Sequence, residues 1–173
     1  MHQRICIIGN AGSGKSTLAK VLGEALKIPV HHLDRHLLNA SFEKLERTEY
    51  NRVHADLISG EDWVIDGNYK KNIPERISRA TLVIFLDISR LITLPRVAKR
   101  LRKGGHMPEA IPEGAEPDVL GWEFLRWTAT YSRRERIREL EKLCLEARVP
   151  FLGLKRGSTQ KQVKLVMKAL GKS

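Results

Sequence analysis

The sequence predicts an α/β fold in three layers, a five-stranded parallel sheet with helices on both faces. Three observations carry that expectation. Short continuous apolar runs recur along the chain, helix-length amphipathic segments separate them, and a glycine-rich turn joins the first run to the first such segment. Continuous apolar strands are the kind a parallel sheet buries on both sides.

The elements follow in order. Residues 4–8 read as the first strand, ending at Gly9, and residues 15–26 place Leu18, Val21, Leu22 and Leu26 on one helical stripe. A second strand is predicted over 28–33, and a helix over 48–59 with Thr48 as its cap and Gly60 at its close. Residues 63–66 make a short third strand; 73–79 make a brief helix entered through Pro74; 81–86 form the plainest strand, Thr-Leu-Val-Ile-Phe-Leu. Helical spacing returns over 88–102, where Pro95 makes the starting point ambiguous. Residues 103–121 hold four glycines and three prolines with little apolar content, which predicts a lid within one domain, 1–173, rather than a boundary between two. One long helix is expected over 122–147 with Ile137, Leu140, Cys144 and Ala147 on its apolar stripe. A fifth strand is expected over 149–154, and a last helix over 158–170 stopped by Gly171.

A chain of 173 residues can bury a real core without disulfides or metal staples. Its 42% hydrophobic and 29% charged residues exclude the disordered and membrane-spanning classes. The longest apolar runs are strand-sized and residues 1–8 lack a signal-peptide pattern, so a cytoplasmic protein with no membrane partner is expected, as monomer or homodimer. Cys6 and Cys144 both fall on predicted core positions, which suits a reducing compartment. The net charge of +11 points to anionic ligands or partners. Residues 148–173 carry seven basic side chains and no acidic one, with Lys161, Lys164 and Lys168 on one helix face, so a nucleic-acid partner stands open beside a merely solvated face.

The chemistry is concentrated in Gly9-Asn10-Ala11-Gly12-Ser13-Gly14-Lys15-Ser16-Thr17, a G-x-x-x-x-G-K-S/T pattern between a strand and a helix. Glycines let successive N–H groups turn inward on phosphates, and the helix start adds its dipole. Lys15 supplies charge to the β- and γ-phosphates and Ser16 a hydroxyl ligand for Mg²⁺. These residues predict a three-layer P-loop NTPase fold of the nucleoside or nucleotide kinase kind, binding ATP and Mg²⁺ and passing the γ-phosphoryl to a small-molecule or nucleotide acceptor. A carboxylate is needed near the metal, and Asp34, Asp66 and Asp87 each end an apolar run. Asp66 is favoured for magnesium because Gly67 beside it would let the backbone approach the phosphates; Asp34 is the alternative, or the catalytic base; Asp87 reads as a turn or cap residue. Arg96 and Arg100 lie one helical turn apart before the lid, suited to neutralising the transferring phosphoryl group. Arg126 and Arg133 form a second pair after it, and Arg35, Asn68, Tyr69 and Lys70 complete the candidate acceptor side. His31, His32 and His36 lack metal-ligand spacing and read as acceptor-pocket or surface residues.

The P-loop, His32-Leu33-Asp34, Trp63-Val64-Ile65-Asp66-Gly67-Asn68-Tyr69 and Leu86-Asp87 leading to Arg96 and Arg100 together resemble the bacterial topology modulation proteins, a branch of the adenylate kinase-like P-loop kinases. The resemblance implies Asp66 for magnesium, Arg96 against the base and Arg100 on the phosphates. Two acceptor-gripping arginines of adenylate kinases are replaced here by Leu37 and Lys70, which argues against AMP as acceptor. Shikimate and gluconate kinases are similar in another way, keeping an aspartate after the second strand that acts on an acceptor hydroxyl, as Asp34 would. The family name also implies an alternative, a basic DNA-associated regulator that binds ATP without metabolic kinase activity.

Overall fold

The computed structural model describes residues 2–103, 111–114 and 122–172. Strands β1 (Arg4–Gly9), β2 (Val30–His32), β3 (Trp63–Asp66), β4 (Leu82–Leu86) and β5 (Phe151–Leu154) form one parallel sheet in the order β2-β3-β1-β4-β5. The helices are α1 (Lys15–Leu26), α2 (Leu33–Leu37), α3 (Arg47–Ser59), α4 (Ile73–Arg79), α5 (Arg90–Lys103), α6 (Trp122–Thr130), α7 (Arg133–Ala147) and α8 (Thr159–Ala169).

Side chains alternate across the sheet, so each strand feeds two cores. On one face Cys6, Ile8, Ile65, Val83 and Phe85 pack with Leu33, Leu37, Ile58, Ile77, Leu140 and Cys144 from α2, α3, α4 and α7. On the other, Ile5, Ile7, Val64, Leu82, Ile84 and Leu86 pack with Leu18, Ala19 and Leu22 of α1 and Val166 of α8. Both cysteines are free and buried.

Several boundaries differ from the sequence reading. The second strand is only Val30–His32, because Leu33 turns down into the core and opens α2. Thr48 is not the cap of α3: the helix starts at Arg47, with the Glu46 carbonyl accepting the Tyr50 N–H at 2.8 Å. Pro95 sits inside α5 without ending it, and the carbonyl it fails to pair belongs to Leu91, which is 81% exposed and can be hydrated. The single helix expected over 122–147 is two. Thr130 Oγ1 donates back to the carbonyls of Arg126 and Trp127, both at 3.1 Å, and Ser132 adopts extended backbone to start α7 afresh. Of the expected lid, residues 104–110 and 115–121 lie outside the described residues.

Candidate active site

Parallel register sets Asp66 beside Ile7 and beside His32, so the carboxyl ends of β1, β2 and β3 meet at one edge of the sheet. Ligands of open α/β sheets bind at such an edge. The Gly9–Lys15 turn lies there. Gly12 has φ +71, and a Cβ on it would come within 2.8 Å of the Thr93 carbonyl oxygen; a side chain would push the loop off α5. Helix α1 begins without a side-chain cap, leaving its first amides and dipole for an anion.

Asn10 ties this loop to α5 and α6. Its Oδ1 accepts from the Ala11 N–H at 2.8 Å, while Nδ2 donates to the Thr128 carbonyl at 3.0 Å and to Thr93 Oγ1 at 3.4 Å. Lys15 Nζ donates to the Asn10 carbonyl at 3.1 Å. Burial depresses the Lys15 pKa, and the carboxylates of Asp66 and Asp34 partly restore it.

Asp66 is 4% exposed and held from both sides. Ser16 Oγ donates to its Oδ2 at 2.8 Å, and His32 Nδ1 lies 2.7 Å from its Oδ1. A carboxylate can only accept, so His32 carries its proton on Nδ1. The Ser16 hydroxyl and Asp66 carboxylate together are hard oxygen donors of the kind Mg²⁺ takes, with its other positions left to water and phosphate. Among the described residues no cluster of three or more His, Cys, Asp or Glu suits a metal.

Asp34, from the start of α2, accepts from the Tyr69 hydroxyl at 2.9 Å. The walls of the cleft push its carboxyl above the ordinary range, opposed by Lys15. The side chain remains open to cleft water, which limits the size of that effect. Arg100 is pulled below its ordinary value by burial, and Asp34 counteracts this. Arg96 Nη1 donates to the Gly12 carbonyl at 3.3 Å, and Asn68 Oδ1 accepts from the Gly9 N–H at the same distance.

A cleft of about 820 Å³ unites these groups: Ala11, Gly12, Gly14, Lys15, Ser16, Thr17, Asp34, Asp66, Asn68, Tyr69, Lys70, Arg96 and Arg100 all line it. Gly9, Asn10 and Ser13 shape the turn from behind, the latter two buried at 4% and 5% exposure. Three expected residues are not brought there. Arg133 forms an ion pair with Asp87, Nε lying 2.8 Å from Oδ1, which pins the start of α7 to the end of β4. Arg126 is exposed and absent from the lining. Arg35 lines a separate hollow with His31 and His36.

Other residues are in the cleft that the sequence reading missed: Leu38, Phe42, Lys44, Ile111, Phe124, Trp127 and Arg136. Arg136, one turn beyond Arg133 on α7, takes the place expected for that residue, and shares Glu139 with Lys70 at 2.8 and 3.8 Å. His32 is a buried partner of Asp66, 6% exposed, rather than a pocket or surface residue. Only the β2–β3 register reveals that pairing. Gly67 also owes its identity to something other than phosphate approach: its φ is +140, and a Cβ would lie 2.8 Å from Leu33 Cβ. Its carbonyl accepts from Nη2 of Arg76, a fully buried arginine that no pattern singled out.

The fold is that of the P-loop kinases, a three-layer α/β architecture around a five-stranded parallel sheet. Among solved structures the chain is similar to a shikimate kinase from Acinetobacter baumannii in complex with shikimate, at TM-score 0.62 and 16% identity over 99% of this chain and 94% of that one. It is similar to a gluconokinase from Sinorhizobium meliloti 1021 at TM-score 0.57 and 16% identity, covering 98% and 91%. A deoxyadenosine kinase from M. mycoides with bound dATP matches at TM-score 0.52 and 15% identity, over 98% of this chain and 100% of that one. No family model and no curated protein matches the chain.

Proposed function

We propose that this protein is an ATP- and Mg²⁺-dependent kinase that phosphorylates the hydroxyl of a small acceptor. The observation that carries the reading is that Asp34, Asp66, Lys15 and Arg100 converge on one cleft at the mouth of a glycine turn and an uncapped helix. Lys15, Arg96, Arg100 and the loop amides would hold the triphosphate, and Ser16 with Asp66 would hold magnesium, which supplies neutralising charge when bound. Asp34 takes the acceptor proton as the hydroxyl oxygen attacks the γ-phosphorus. The bond to the bridging oxygen breaks, and ADP leaves with its electron pair. Most of the rate enhancement comes from position and charge.

Asp34 also supports a hydroxyl acceptor over a phosphate one. A carboxylate at the acceptor mouth repels a phosphate monoester and welcomes a hydroxyl. The replacement of two phosphate-gripping arginines by Leu37 and Lys70 supports the same choice: Leu37 is fully buried and Lys70 is engaged with Glu139. The resemblance to the topology modulation proteins belongs to this reading at the level of family, as do a single domain, a closing lid and a cytoplasmic setting.

Lys15→Ala tests the assignment: acceptor-dependent ADP release falls at least about a hundredfold. Unchanged turnover in that variant overturns it.

A further inference from the structure

The acceptor half of the cleft has a chemical character of its own. On α6, Phe124 and Trp127 stack with ring centroids 5.9 Å apart and planes 19° from parallel. Trp127 is 44% exposed although its ring is apolar, so one face of the stacked pair is left toward the cleft it lines. From another element comes Phe42, which has φ +60. That conformation is rare for a ring-bearing residue. A tight turn enforces it: Asn39 Oδ1 accepts from the amides of Ser41 at 2.9 Å and Glu43 at 3.0 Å, and Leu38 bridges Lys44. The turn thereby sets the Phe42 ring in the cleft wall, half-buried.

These rings line the same cleft as Asp34. Trp127 meets Tyr131 edge-on with centroids 5.9 Å apart, and Tyr131 packs against the same core as Tyr69, whose hydroxyl holds Asp34 Oδ1. Asp34 Oδ2 is left for an incoming hydroxyl. Flat aromatic walls at such a site suit a planar ligand, since stacking rewards any π-face.

We infer that the acceptor is a hydroxyl-bearing compound with a planar aromatic or heteroaromatic ring, which lies against Trp127 and Phe42 while its hydroxyl meets Asp34. The inference rests on the kinase reading and deepens it. The transfer is the one given above: the acceptor O–H proton passes to Asp34, the new bond is between that oxygen and the γ-phosphorus, and the products are ADP and a phosphate monoester.

Binding without turnover tests it. Purine and pyrimidine nucleosides and hydroxymethylpyridines are titrated by calorimetry against wild type, Trp127→Phe, Trp127→Leu and Phe42→Leu, with gluconate and shikimate as puckered comparators and Mg-ADP as the nucleotide control. The expected result is binding of at least one planar compound, weakened roughly tenfold or more by Trp127→Leu and much less by Trp127→Phe, with Mg-ADP affinity unchanged. Binding of gluconate or shikimate alone overturns the inference and leaves the kinase reading standing. A Trp127→Leu variant that loses Mg-ADP instead shows the rings serve the adenine, and overturns it too. Absence of Mg-ADP binding from wild type itself defeats the underlying kinase reading.

Discussion

Asp34 and His32 show how single side chains here act through their neighbours. Because enclosure raises the Asp34 pKa above its ordinary value, the folded state prefers the proton more than the unfolded chain does. The sign follows: the destabilisation is absent below the unfolded pKa, grows as pH rises through the interval up to the folded one, and is complete above it. Asp34→Asn is therefore expected to melt higher than wild type at pH 7 while losing hydroxyl phosphorylation, and equal melting at pH 3 would accompany it. Scanning calorimetry at the two pH values checks this; a lower melting temperature at pH 7 contradicts it. His32→Phe leaves Oδ1 of a buried carboxylate without its donor, which costs about 1–3 kcal/mol and loosens Asp66. Denaturant titration measures the first effect, and a raised Mg²⁺ requirement in the turnover assay measures the second, which a purely structural role would not produce.

Among the elements, the most consequential departure from the sequence reading is the break between α6 and α7. A 26-residue amphipathic pattern looks continuous in sequence, since Thr130, Tyr131 and Ser132 are all tolerated within helices. The tertiary environment reinforces the local Thr130 bonds at the break: the Thr128 carbonyl accepts from Asn10, and Arg133 is drawn to Asp87. The same break decides that Arg136, not Arg133, reaches the cleft. Asn10 thus joins the phosphate loop to the helix that carries Trp127. Asn10→Ala removes a donor to the buried Thr128 carbonyl and is expected to cost about 1–3 kcal/mol, read by denaturant titration. A larger share of the stability loss than in Arg126→Ala is expected, because Arg126 is exposed. Equal stability of the two variants would contradict the coupling.

For the molecule as a whole, the strand-helix alternation and the glycine turn made the parallel sheet and the loop between β1 and α1 legible, because both are local patterns with fixed periods. The acceptor wall was not legible. Phe42 is far in the chain from Phe124 and Trp127, and although the i, i+3 spacing of the last two puts them on one helix face, nothing in the sequence says that this face shares a cleft with Phe42. No described helix is long and apolar enough to cross a membrane. The excess positive charge is divided: Lys15, Arg96 and Arg100 line the cleft, whereas Lys155, Arg156, Lys161, Lys164 and Lys168 are exposed around β5 and α8. If the second group served only as a solvated surface, duplex DNA binding would be weak at 200 mM salt; tight binding there, lost when those lysines are changed to glutamine, would favour the DNA-associated alternative. The central claim is that the turn from Gly9 to Thr17 binds a nucleotide polyphosphate with magnesium. Calorimetric titration of Mg-ATP into wild type and Lys15→Ala tests it most directly: saturable binding in the first, weakened at least about tenfold in the second, is predicted, and no heat from wild type at millimolar nucleotide would contradict it.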